Sequence, residues 1–114
     1  MIIDLHSYPV VASDYGLYKE SAIPALCLGV DDFHASEALV ALATSKVSGL
    51  GDIDINTLFV GTCVPLEVSS KDARVQSIML EFRKDTFLTG VVPGASFEKT
   101  ALAISKFIDA QLLS

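Results

Sequence analysis

The chain alternates short apolar runs with turn-rich connections, and at two places the spacing of apolar positions changes from a strand period to a helical one. Ile2-Ile3-Asp4-Leu5-His6-Ser7 reads as a strand directly after Met1. From Tyr8 to Ser21 there is no sustained period, only Pro9, Gly16 and the three tyrosines, which predicts a long surface loop. Pro24 introduces Ala25-Leu26-Cys27-Leu28-Gly29-Val30, an unbroken apolar run of the kind that forms a strand covered on both faces. Leu39, Leu42, Ala43, Lys46 and Val47 fall at helical spacing, with Asp31 or Asp32 expected to cap the first turn and Gly49 to end the helix. Ile53 to Val60 predicts a third strand, bent near Asn56 and ended by Gly61. The longest strand signal runs from Arg74 to Arg83, with Gln76, Ile78, Leu80 and Phe82 on one face and Val75, Ser77, Met79 and Glu81 on the other. Thr86 to Ala95 is rich in turn residues, and Ser96 is expected to cap a last helix with the apolar stripe Phe97, Ala101, Ile104, Ile108 and Leu112.

This order predicts one α/β domain over residues 1–114: a small, mostly parallel or mixed sheet of about four strands packed with two main helices. An apolar fraction of 51% and a mean hydropathy of +0.50 are high for so short a chain, and two helices leave part of such a sheet uncovered. A homo-oligomer that covers the excess apolar surface is therefore expected. A formal charge of −6 with no basic cluster argues against nucleic acid or anionic membrane as partners. No apolar run approaches the roughly 20 residues of a membrane span, and the amino terminus lacks a basic leader, so a cytoplasmic location is expected. Cys27 and Cys63 form no Cys-x-x-Cys pair and read as reduced thiols.

The candidate chemistry begins at Asp4 and His6. Two residues apart on a strand, they share a face, and a carboxylate beside an imidazole can fix its tautomer for metal ligation. The competing reading is a core histidine whose ring bonds a carbonyl. Glu81 is the second anomaly, because a carboxylate in an otherwise apolar strand needs a partner, a metal or a wet pocket unless it turns to solvent. Asp31 and His34 also lie close together, but an acid that caps a helix near a first-turn histidine is the commoner arrangement. With Glu81 as general base, Asp4 and His6 supply part of a metal site, yet one imidazole falls short of the three protein ligands a catalytic zinc usually takes. The Gly-x-Ser-x-Gly elbow and the glycine-rich phosphate loops are absent from the sequence.

Four segments, in order, resemble the N-formylglutamate amidohydrolases, within the wider zinc-dependent carboxypeptidase and aspartoacylase superfamily. Ile3-Asp4-Leu5-His6-Ser7-Tyr8-Pro9 is similar to the family's Asp-Leu-His-Ser segment, and Leu28-Gly29 with the acidic turn after it to its next strand. Asn56-Thr57-Leu58-Phe59-Val60-Gly61 resembles an Asn-x-Pro-aromatic-x-Gly segment, with Leu58 in place of proline. Ser77 to Lys84, with Phe87 beyond, is similar to the strand that delivers the family's catalytic glutamate and then a basic residue. The resemblance implies His6 as zinc ligand, Asp4 as its second-shell neighbour, Glu81 as general base, and Lys84, Arg83 and Asn56 around the substrate, Lys84 standing where an arginine is expected. It implies zinc-dependent hydrolysis of an N-acyl amino acid or small acidic amide. It covers about the carboxyl-terminal half of such an enzyme, and the family's other two ligands, a His and a Glu, have no counterpart in these 114 residues. The site is thus expected to be incomplete unless another chain or a truncated segment supplies them; the alternative is a non-catalytic remnant that binds a small ligand or oligomerises.

Overall fold

A computed structural model describes residues 1–10, 23–57 and 59–113. Strands β1 (Ile2–Tyr8), β2 (Leu26–Gly29), β3 (Ile53–Ile55) and β4 (Ser77–Arg83) form one mixed sheet in the order β1-β4-β2-β3. β1 runs parallel to β4, β4 antiparallel to β2, and β2 parallel to β3. Helix α1 (Glu37–Val47) joins β2 to β3, and helix α2 (Phe97–Leu113) closes the described chain. This is the small α/β architecture the residue pattern predicts.

Both helices lie on one face of the sheet. Leu26 and Leu28 of β2 and Ile78, Leu80 and Phe82 of β4 meet Leu39, Ala43 and Val47 of α1 and Ala103 and Phe107 of α2. β4 is central and its first six residues are buried, so its polar alternates cannot escape to water. That settles how Glu81 sits: it is buried within the sheet rather than turned outward at a frayed strand end.

Several local expectations are corrected. The cap of α1 is Ser36, whose hydroxyl accepts the Leu39 N–H at 3.1 Å. Asp31 instead closes a turn of its own, its carboxylate accepting the Phe33 N–H at 2.8 Å. The third strand stops at Ile55, because Asn56 takes a positive φ of 55° that leaves the extended region. The stretch between Thr86 and Ala95 contains a small hairpin, β5 (Leu88–Thr89) and β6 (Val92–Pro93), with Gly90 supplying the positive φ its two-residue loop needs. Tyr8 belongs to β1 and is buried, its hydroxyl donating to the Pro24 carbonyl, while residues 11–22 of the expected loop lie outside the described residues.

The correction with the widest consequence concerns α2. Its buried positions are Thr100, Ala103 and Phe107, because the Thr100 hydroxyl reaches the Thr86 carbonyl at 2.9 Å and Phe107 fills the core. The expected stripe is rotated outward, leaving Phe97, Ile108 and Leu112 exposed.

Gly29 marks the point where the 56–76 connection presses onto β2. A methyl group there would overlap the Gly61 carbonyl oxygen and the Met79 side chain. Gly29→Ala is expected to cost about 2–3 kcal/mol through forced displacement of backbone, read as a lowered urea midpoint with an unchanged slope.

Candidate functional site

The helix-free face of the sheet collects the polar groups. The parallel register sets His6 opposite Glu81 and the antiparallel one sets Glu81 opposite Cys27, so the three stand side by side across β1, β4 and β2. Asp4, two residues before His6 on the same face, approaches it directly: Asp4 Oδ1 lies 2.9 Å from His6 Nε2. Glu81 Oε1 lies 3.9 Å from His6 Nδ1. Nε2–H donates to the Asp4 carboxylate, and Nδ1 is the nitrogen that faces Glu81.

Burial differs sharply across this cluster. The His6 side chain is 50% exposed, whereas Glu81 is only 5% exposed and receives no hydrogen bond among the described residues. Loss of water around Glu81 pushes its carboxyl above the ordinary glutamate value; the His6 ring pulls it back and the Asp4 charge adds to the rise. A carboxyl held in this way takes up a proton more readily than a solvated one, the property a general base near neutral pH requires. Tyr8 and Cys27, with Ile23 and Phe59 against them, form the apolar wall on this side of the sheet. The Cys27 thiol is buried, with the Thr57 hydroxyl at 3.8 Å, and both cysteines are free.

The remaining residues named from the sequence make no hydrogen bond or ion pair with Asp4, His6 or Glu81 among the described residues. Asn56 is a bracket: its carbonyl oxygen accepts the Val30 N–H at 2.9 Å and the Gly61 N–H at 3.2 Å, and its amide donates to the Val30 carbonyl at 3.1 Å. Arg83 bonds Asp85 at 2.7 Å and also reaches the Ile23 carbonyl, and the Asp85 bond holds its guanidinium above its ordinary value. Lys84 is exposed on the 3-10 turn Lys84–Thr86 that follows β4, with no ion pair to the cluster among the described residues.

His34 has a different role. It is fully buried, its Nδ1 donating to the Val75 carbonyl at 2.8 Å and its Nε2 accepting the Ser70 N–H at 2.9 Å. Both nitrogens are spent on holding the 56–76 connection against the turn before α1. Sequence reasoning missed this role, and also the Thr62–Ser77 hydroxyl pair at 2.7 Å that pins the same connection to β4. Neither is foreshadowed by spacing, because both join segments distant in sequence.

Among the described residues, no three His, Cys, Asp or Glu side chains converge to hold a metal ion. Asp4 and His6 alone offer an adjacent pair of donors, so these residues do not by themselves fit a catalytic zinc. An apolar cavity of about 330 Å³ opens between β1 and α2, lined by Leu5, Ser7, Phe82, Phe87, Phe97 and Ile104, and His6 borders it as well. Among the described residues no helix is long and apolar enough to cross a membrane.

The fold is that of a small mixed α/β domain with an acidic pair around one imidazole. It is similar to the crystal structure of N-formylglutamate amidohydrolase from Ralstonia eutropha JMP134, with a TM-score of 0.71 and 16% sequence identity over 92% of this chain. The chain spans 40% of the length of that protein. No family model matches the sequence, and no curated protein matches it. At this identity the likeness establishes a shared fold.

Proposed function

We propose that the chain is an N-formylglutamate amidohydrolase-like module that takes part in zinc-dependent hydrolysis of an N-acyl amino acid or small acidic amide, the donors it lacks coming from a second polypeptide. The observation that carries this reading is the placing of Glu81, buried and raised in proton affinity, beside His6 with Asp4 fixing the ring. Glu81 takes a proton from the water that attacks the amide carbonyl and passes it to the departing nitrogen, so the carboxylate is regenerated. Lys84, exposed beyond the strand that carries Glu81, meets the substrate carboxylate, while Arg83 and Asn56 hold the surrounding loops. A zinc ion, when bound, would polarise that carbonyl. The test is hydrolysis of N-formylglutamate by the zinc-supplied complex that the tagged full chain retains on purification from its native cells: turnover lost in His6→Ala supports the reading, and a complex without turnover, or one whose turnover His6→Ala leaves unchanged, overturns it.

A second reading, a non-catalytic module that oligomerises, is favoured by the two-donor inventory and by the outward apolar stripe of α2. It predicts stable self-association without amide hydrolysis.

A further inference from the structure

Side chains that a core would ordinarily bury line the open cavity of about 330 Å³ between β1 and α2. Phe82, Phe87 and Phe97 bring three aromatic rings to it, and Leu5, Ala101 and Ile104 complete its apolar wall. Leu5 and Phe97 remain 48% and 41% exposed, so no described side chain fills the space between them. A cavity lined by leucine, isoleucine and phenylalanine holds benzene at roughly 150 Å³. This one has about twice that room, enough for one aromatic ring, a short chain and a small head group. Concave apolar pockets of such a size are the usual seats of small ligands.

The polar groups are few, and they fix how a ligand lies. The Thr100 hydroxyl is already committed to the Thr86 carbonyl at 2.9 Å. The exposed Ser7 makes no side-chain hydrogen bond among the described residues, and it lines the cavity from β1 with His6 next to it. No Asp, Glu, Lys or Arg lines the cavity among the described residues. A charged head group would therefore lack a counter-ion there, whereas a neutral amide can exchange a hydrogen bond with the Ser7 hydroxyl. At the apolar end, contacts between rings favour an aryl group over a saturated ring of the same size by about 2–10-fold.

We infer that this cavity is a binding site for a small neutral aryl compound, with its ring among Phe82, Phe87 and Phe97 and an amide-type head at the Ser7 hydroxyl. The site stands on the cavity between β1 and α2 and does not depend on the hydrolytic reading. A chain that binds such a compound and hydrolyses nothing retains it.

Titration of the methyl-labelled full chain with phenylpropanamide, followed by NMR, tests the site. Saturable binding at submillimolar probe is expected, with ring-current shifts at the Leu5, Ala101 and Ile104 methyl groups. Ser7→Ala should weaken it by about 2–10-fold through the lost hydrogen bond. Ala101→Trp, at an exposed helix position that lines the cavity, should abolish binding, whereas Leu102→Trp, one residue on and outside the lining, should not. Cyclohexylpropanamide, the saturated analogue, should bind about 2–10-fold more weakly. No saturation at millimolar probe, shifts confined to other methyl groups, or undiminished binding by folded Ala101→Trp overturns the site. A cyclohexyl analogue that binds as tightly overturns the aryl class, and Ser7→Ala without effect overturns the placing of the head group.

Discussion

Replacing Glu81 by Gln is expected to cut amide hydrolysis by about 10²–10⁴-fold while making the fold more stable by about 0.5–2 kcal/mol at neutral pH. The two effects have one cause. Burial raises the proton affinity of Glu81 in the folded chain above the ordinary value of 4.5, so the folded state binds the proton more tightly than the unfolded state. Stability is therefore greatest below the ordinary value, falls as pH rises through it toward the raised folded value, and remains reduced above. Gln keeps the shape and removes the charge, so the difference in unfolding free energy between the two proteins should grow over that window and then level off. His6 limits the size of the effect by attracting the ionised form, and a parallel series in His6→Ala should show a steeper decline. Urea unfolding at a series of pH values reads both curves; a wild type that gains stability through the window would contradict the burial argument.

His34→Ala is expected to be the most damaging single change, costing about 3 kcal/mol, or roughly 10–20 °C in melting temperature. The ring is fully buried, packs edge-on to Phe33 with centroids 4.7 Å apart, and uses both nitrogens in hydrogen bonds to Val75 and Ser70. Truncation removes packing and leaves the Ser70 N–H and the Val75 carbonyl without their partner. Because the connection pinned by His34 also carries Gly61 and the Thr62 hydroxyl, the loss should spread to the apolar wall around Cys27. Hydrogen exchange at Ser70 should accelerate well before the core amides of β4.

These two residues also show how far the sequence was legible. The α/β class, the four strands, the two helices and the shared face of Asp4 and His6 follow from local spacing, which a strand or helix imposes on its own residues. The meeting of His6 with Glu81 depends on β1 lying beside β4 in one register, a long-range pairing that no local pattern encodes. The inward face of α2 was misread for a related reason: Phe97, Ala101, Ile108 and Leu112 are as apolar as the positions the core selected, and the buried Thr100 bond to Thr86 decided between them. Similarly, Ser36 displaced Asp31 as cap because Asp31 closes its own turn. Asn56 and His34 were chemically conspicuous, and folding has committed their polar atoms to the backbone.

The two histidines, one exposed beside carboxylates and one sealed in the core, make the central claim directly measurable. Imidazole nitrogen resonances of the 15N-labelled chain, compared between the wild type and Glu81→Gln, separate the two rings. The His6 nitrogens are expected to shift, because Glu81 lies 3.9 Å from the ring, with His34 unmoved and keeping its proton on Nδ1. A substitution that shifts His34, or that leaves His6 unchanged, would contradict the assignment of the helix-free face as the functional one.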